Sequence, residues 1–134
     1  VIIDTPPKID SDLRPALRIA DLIVVPVASS QVDLWATEGV LDLAQREKRP
    51  VLIVLNRVRP NTRLGAEVAA GAAALGVDVA ETTVANRVAY AETLGQGSAV
   101  AEGPKGPARD EIAALADEVM SHAGGAGART VRAG

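Results

Sequence analysis

The sequence of 134 residues contains no cysteine and no phenylalanine, and its aromatic residues are one tryptophan and one tyrosine. Without cysteine, the chain can form neither a disulfide framework nor a thiolate metal site. Because aromatic residues are almost absent, any core must be built from valine, leucine, isoleucine and alanine. No apolar run approaches the length that a membrane span needs, so the sequence predicts a cytoplasmic protein with no membrane partner.

A large excess of charge of one sign is also missing, since the net charge is −3 in a chain that is 23% charged and 48% hydrophobic. This balance is typical of one globular domain, or of part of a larger one, and does not by itself indicate nucleic acid. A phosphate-binding loop of the pattern G-x-x-x-x-G-K-[ST] is absent as well. The segment GPKGPAR (103–109) contains glycine and lysine, but it follows no predicted strand and its prolines lack the N–H groups that bind phosphate.

Short, β-branched apolar segments without polar alternation recur along the chain, and they predict strands that are buried on both faces. The predicted strands are residues 1–3, 21–27 and 50–56, with a weaker fourth at 77–84. Apolar residues at helical spacing predict helices after the strands. The predicted helices cover about residues 13–20, 32–47, 61–75, 87–94 and 107–122, with Ser11 or Asp12 and Asn61 as candidate N-caps. Alternating strands and helices indicate an α/β fold, with a parallel sheet covered by helices on both faces.

Ligand sites in such sheets lie beyond the carboxyl ends of the strands, and Asp4 follows the first predicted strand. A carboxylate in this position can hold Mg²⁺, usually through water, beside a nucleotide phosphate. The following Thr5-Pro6-Pro7 keeps the chain extended, because proline disfavours an immediate helix. The alternative is that Asp4 caps a turn.

Three segments, in the order VIIDTPP, DLRPALRIADLIVVPVASSQVDLWATEGVLDL and VLIVLNRVRPNTRL, resemble the C-terminal part of a ParA-type partition ATPase. Such proteins belong to the ParA/MinD group of deviant P-loop ATPases. The resemblance implies a domain over residues 1–122, and the Gly/Ala-rich tail at 123–134 is expected to be disordered. It also implies a phosphate loop upstream, so the chain is expected to be a fragment that begins inside the Walker B strand. The alternative is a natural short protein.

The resemblance assigns roles to the residues at the end of the first strand. Asp4 resembles the Walker B aspartate, which supports Mg²⁺ and the attacking water. Thr5, Pro6 and Pro7 resemble the switch II segment, which senses the γ-phosphate. ATP and Mg²⁺ are accordingly the expected cofactors.

Asn56, at the end of the third predicted strand, matches the family asparagine that reads the adenine edge, with Arg57 beside it. An amide suits adenine because it offers one donor and one acceptor to the amino group and ring nitrogen of the base. Thr83 and Val84 fall in the loop that packs on the adenine in the family. The alternative is that Asn56 is a turn residue at a strand end.

The function implied by the resemblance is ATP-dependent DNA segregation. ATP drives two subunits into a homodimer, the dimer binds DNA without sequence preference on the nucleoid, and a ParB-like partner stimulates hydrolysis of ATP. Lacking the phosphate loop, the chain alone is expected to be inactive. The alternatives are a MinD-like ATPase, disfavoured because the tail lacks an amphipathic apolar face, an amide-forming ligase of the cobyrinate type, and a non-enzymatic interaction module that binds a related subunit.

Arginines cluster after two of the predicted strands: Arg57, Arg59 and Arg63 follow the third strand, and Arg87 follows the fourth. Because parallel strands end at the same edge of a sheet, these side chains can form one basic surface. Arg59, Arg63 and Arg87 are the candidates for contact with DNA. The alternative is that Arg57 serves the nucleotide and the others pair with acidic side chains.

Overall fold

The computed structural model describes residues 1–6, 13–28, 30–59 and 63–133. The helices are α1 (Leu13–Ile19), α2 (Gln31–Ala36), α3 (Glu38–Arg46), α4 (Leu64–Ala74), α5 (Val88–Gly95) and α6 (Pro107–Ala133), with a 3₁₀ turn at Val100–Glu102, and the strands are β1 (Ile23–Ala28), β2 (Val51–Asn56) and β3 (Asp78–Val79). Over the residues described, none of these helices combines the length and the apolar character that crossing a membrane requires.

The three strands form one parallel sheet in the order β1-β2-β3. β2 is central, and its register with β1 runs from Val51 opposite Ile23 to Asn56 opposite Ala28. The four inner residues of β2 are buried, which explains why this strand is an uninterrupted apolar run in the sequence. Among the described residues β1 pairs only with β2, and such an edge strand tolerates Pro26, which has no N–H to donate.

One face of the sheet carries the larger core. Side chains of β1 and β2 that point to this face, among them Val27 and Ile53, pack against α1 to α4. The buried helix residues there are Leu13 and Leu17 of α1, Leu34 of α2, Ala44 of α3, and Val68 and Ala72 of α4. Burial of this apolar surface stabilises the fold by roughly 25 cal/mol for each Å² removed from water.

The opposite face is covered by α6. Leu52, Val54 and Ala80 pack against Leu115 and Val119, which lie one helical turn apart on that helix. By contrast, Val24 of β1 stays 41% exposed. The fold is therefore α/β with a parallel sheet and helices on both faces, which confirms the predicted fold class.

The strand predicted at residues 1–3 is wrong in this structure. Residues 1–6 have no regular secondary structure, and Val1 and Ile2 are fully exposed. The β-branched composition of the segment suits a strand, but a strand forms only where a neighbouring backbone supplies hydrogen bonds. The described residues provide no such neighbour for this segment.

The single helix predicted over 32–47 is two helices that meet at Thr37. The Thr37 hydroxyl donates to the Leu34 carbonyl oxygen at 2.6 Å, and this bond competes with the regular backbone pattern of a helix. Ser30 caps α2, because its hydroxyl oxygen accepts from the Asp33 N–H at 3.1 Å. The N-caps predicted at Ser11, Asp12 and Asn61 lie outside the described residues.

The fourth strand is shorter than predicted, since only Asp78–Val79 pair regularly with β2. Beyond this pair the chain leaves the sheet and meets it again at an isolated bridge between Val58 and Ala85. At the other end of the chain, α6 begins at Pro107 as predicted, and its backbone continues to Ala133 through the segment whose composition predicts disorder. Alanine, the residue with the highest helix propensity, is frequent there. The division into a domain and a tail after residue 122 stays a prediction.

We expect Leu52→Ala to destabilise the fold far more than Val24→Ala. Leu52 is fully buried under α6, so its truncation leaves a cavity and should lower the free energy of unfolding by about 2–5 kcal/mol. Val24, on the open part of the same sheet, is the matched control, with an expected loss of at most about 1 kcal/mol. Urea unfolding followed by circular dichroism measures both values, and equal losses would contradict the packing of α6 on β2.

Candidate functional site at the carboxyl edge of the sheet

Asn56 ends β2 at the carboxyl edge of the sheet, where its side chain is half-buried. Its Oδ1 accepts a hydrogen bond from the Arg57 N–H at 3.0 Å, and Arg57 itself has a φ of 55°. A residue other than glycine is uncommon in this left-handed region, so the chain bends directly after Asn56. The local bond uses one lone pair of the amide oxygen and does not involve the amide N–H₂ group.

The segment after β3 returns to the same edge of the sheet. Val84 donates its N–H to the Leu55 carbonyl at 2.8 Å and accepts at its own carbonyl from the Val58 N–H at 3.0 Å. These two bonds flank Asn56 and Arg57. The structure therefore brings together the two distant segments that are predicted to hold a base, and the roles of their residues stay predictions.

The β3–α5 loop, defined as residues 80–87, is also held by α6. The Glu118 carboxylate accepts the N–H of Glu81 at 2.6 Å and the N–H of Thr82 at 2.9 Å. Burial by itself raises the pKa of Glu118, but the hydrogen bonds from Thr82 and Glu81 and the nearby His122 outweigh burial, so the pKa is lowered. Glu118 is therefore charged at neutral pH and supplies acceptors to a part of the loop that has left the sheet.

Glu111 of α6 holds the far end of the same loop. Its Oε1 accepts the Ala85 N–H at 3.0 Å, while its Oε2 accepts the Tyr90 hydroxyl and lies 3.5 Å from the Arg87 Nε. Burial raises the pKa of Glu111, but these donors outweigh burial and the pKa is lowered. Burial together with the bond to Glu111 raises the pKa of Tyr90 to about 12. Arg87, a predicted DNA contact, is thus paired with an acidic side chain.

Sequence reasoning missed Glu111, Glu118 and Tyr90. One signal was available for the two glutamates, because positions 111 and 118 are seven apart and lie on one face of a helix. That face also carries Leu115 and Val119, the apolar residues that pack against the sheet. A charged residue beside a buried stripe is a candidate for a specific partner, but the identity of the backbone N–H groups that it meets cannot be read from spacing.

An open groove of about 530 Å³ lies between the loop and the middle of α6. It is lined by Asp78, Val79, Glu81, Thr82, Glu118, Ser121 and His122. Three of these side chains are acidic, so the groove is electrostatically unsuited to a phosphate. Asn56, Thr83 and Val84 lie outside its lining, and the groove is therefore not the predicted nucleotide site.

Asp4, Thr5 and Pro6 lie on the exposed segment 1–6, and Pro7 lies outside the described residues. Within the part of the chain that the structure describes, no group of three or more histidine, aspartate or glutamate side chains is arranged to hold a metal ion. The role of Asp4 at Mg²⁺ stays a prediction. Arg59 and Arg63, the other predicted DNA contacts, are exposed between β2 and α4.

Acid should loosen the β3–α5 loop through Glu111 and Glu118. Both pKa values are lowered from 4.5 by folding, so the stability that the carboxylates contribute is fully present above pH 4.5 and is lost as pH falls through the lowered values. The double variant Glu111→Gln plus Glu118→Gln should therefore lose stability less steeply below pH 4.5 than the unchanged chain. Urea unfolding at several pH values measures this slope, with the exposed Glu92→Gln as control. An unchanged slope in the double variant would contradict the assignment.

No family model matches the chain. The chain is 32% identical over 128 residues to the "Maintenance of carboxysome distribution protein A" of Halothiobacillus neapolitanus (strain ATCC 23641 / c2). This similarity covers 90% of the chain and 59% of that relative, so the chain spans about three fifths of the length of the curated relative it matches.

Proposed function

We propose that this chain forms the base-binding side of an ATP-dependent positioning protein of the ParA type, which hydrolyses ATP to ADP and phosphate. One observation carries the proposal: Val84 bonds to the residues on either side of Asn56 and Arg57, which gathers the predicted base-binding residues at one edge of the sheet. The 32% identity with the carboxysome distribution protein supports the proposal of a positioning protein.

Adenine suits this edge for physical reasons. The Asn56 amide offers one donor and one acceptor to the amino group and ring nitrogen of the base. Thr83 and Val84 are half-buried, and both are proposed to lie beside the flat face of the ring. The Val84 side chain also packs against Leu52, Val54 and Ala80 of the sheet.

The phosphates and Mg²⁺ belong to another part of the proposed site. Asp4 is proposed to support Mg²⁺, and Thr5, Pro6 and Pro7 are proposed to sense the γ-phosphate. Because the described residues gather no metal-ligand group, the remaining phosphate-binding groups are proposed to lie outside them. This chain alone is accordingly expected not to hydrolyse ATP.

The object that is positioned is proposed only as a class. The name of the relative concerns the distribution of carboxysomes, and the resemblance to partition ATPases suggests chromosome or plasmid segregation. In either case we propose a homodimer that binds DNA without sequence preference and a ParB-like partner that stimulates hydrolysis. The proposed location is the cytoplasm, on the nucleoid.

A non-enzymatic interaction module is the second candidate. The exposure of segment 1–6 favours it, because Asp4 belongs to no group of three or more metal-ligating side chains among the described residues. Such a module would pair with a related subunit without binding a nucleotide. A base-binding measurement separates the two candidates.

Adenosine should bind the chain about tenfold more tightly than guanosine, because the Asn56 amide is proposed to meet the amino group and ring nitrogen of adenine, and guanine has a carbonyl oxygen in place of that amino group. Nuclear magnetic resonance titrations of the 13.8 kDa chain with each nucleoside measure both affinities and locate the site. Asn56→Ala should abolish the preference. The matched control is Asn86→Ala, an exposed asparagine in the same region, which should keep it. Equal affinities in the unchanged chain, or shifts confined to other residues, would refute base recognition and favour the interaction module.

We further propose that the arginines between β2 and α4 contact DNA. Arg59→Ala combined with Arg63→Ala should weaken binding to every duplex sequence alike, because phosphate contacts carry no sequence information. Each lost contact should also lower the slope of log affinity against log salt by nearly one. Fluorescence anisotropy at several salt concentrations measures the affinity for DNA. The protein used is the ATP-bound form obtained by joining this chain to a segment that carries a phosphate-binding loop. Arg14, exposed on α1, gives the control variant Arg14→Ala, which should keep the slope. An unchanged slope in the double variant would contradict the proposal.

A further inference from the structure

We infer that Glu111 and Glu118 are positioning residues for base recognition, because they hold the backbone of the β3–α5 loop in the shape that places Thr83 and Val84 beside Asn56. Both glutamates act through the loop backbone and do not touch the base. The inference rests on the proposed function, since it assigns the choice of base to the loop that these residues hold.

The bonds from α6 lie on both sides of the base-binding residues in the loop. Glu118 accepts from Glu81 and Thr82, just before residues 83–84, and Glu111 accepts from Ala85, just after them. The two glutamates lie seven positions apart on one face of α6, which matches two helical turns. One rigid element thus holds the entry to and the exit from the short segment that is proposed to meet the base.

β2 holds the same segment from the other side. Val84 exchanges backbone hydrogen bonds with Leu55 and Val58, at 2.8 and 3.0 Å. The loop backbone is therefore bonded to two elements that are themselves packed together, through Leu115 and Val119 against the sheet. Its conformation follows from satisfying both sets of bonds at once, and a change on the α6 side is transmitted to the segment beside Asn56.

The charge of the glutamates matters to this arrangement. A carboxylate only accepts hydrogen bonds, so its two oxygens suit two adjacent N–H donors, whereas a glutamine carboxamide has one oxygen and one N–H₂ group. Glu118→Gln keeps the size of the side chain but turns a donor toward one of the two loop N–H groups. At Glu111 the Tyr90 hydroxyl and the Arg87 guanidinium are further donors. Glu111→Gln therefore also places an N–H₂ donor among groups that donate to the carboxylate.

Amide hydrogen exchange in the 134-residue chain tests whether the glutamates hold the loop. Glu118→Gln should speed exchange by about tenfold or more at one or both of Glu81 and Thr82, as expected for the loss of a charge-assisted hydrogen bond, and should leave Ala85 unchanged. Glu111→Gln should instead speed exchange at Ala85 and leave the rates at Glu81 and Thr82 unchanged. Asp117→Asn, exposed on the same helix, is the matched control and should change none of the three rates.

Nucleoside titration of the same variants tests the consequence for base choice. Glu118→Gln should lower the preference for adenosine over guanosine by about threefold or more, because the loop no longer fixes the segment that meets the ring. A merely structural role would lower the unfolding temperature and leave the ratio of the two affinities unchanged. Glu118→Asp keeps both acceptor oxygens and should recover part of the preference, and it supplies the test if the glutamine variant does not fold.

The outcomes separate this inference from the function on which it rests. If the unchanged chain prefers adenosine, Asn56→Ala abolishes the preference and neither glutamate variant lowers it, the inference is overturned and the proposed function stands. If the unchanged chain shows no preference, the proposed function fails and base positioning fails with it. Unchanged exchange at Glu81, Thr82 and Ala85 in both variants overturns the holding role directly.

Discussion

The backbone of β2 must find hydrogen-bond partners on both sides, and the remaining structure is arranged around this requirement. On one side β1 pairs with the whole strand in register. On the other side β3 supplies only a short pairing, and Val84 then supplies two further bonds near the end of the strand. Because the inner residues of β2 are buried, an unpaired backbone group there would lose its hydrogen bonds to water without replacement. This requirement brings the β3–α5 loop back to the sheet.

The return of the loop creates a second problem, which α6 resolves. Where the loop leaves the sheet, its N–H groups lose strand partners, and the carboxylates of Glu111 and Glu118 accept three of them. The same helix buries Leu115 and Val119 against β2. α6 therefore contributes both apolar burial and charge-assisted hydrogen bonds, and the lowered pKa values of the two carboxyls reflect how well the donors compensate for burial.

The described residues assemble the two halves of the proposed nucleotide site unequally. The base-binding half depends on pairing between β2 and the β3–α5 loop, both of which the structure describes. The half that is proposed to meet Mg²⁺ and phosphate depends on Asp4, which lies on an exposed segment. The difference is physical, because base recognition can be built from one sheet edge, whereas holding a triphosphate requires several N–H donors and cations converging on one point.

The amino-acid sequence by itself determined the parallel sheet, because a strand buried on both faces needs an unbroken apolar run such as that of β2, and it also located Asn56 at a strand end and the start of α6 at Pro107. Only the tertiary structure decided the rest. Residues 1–3 have the composition of a strand but lack a neighbour, and the helix over 32–47 divides where Thr37 binds a carbonyl. The partners of Glu111 and Glu118 could not be predicted from the sequence either, because they are backbone N–H groups. Every residue except proline carries such a group, so folding alone selects which of them a carboxylate meets.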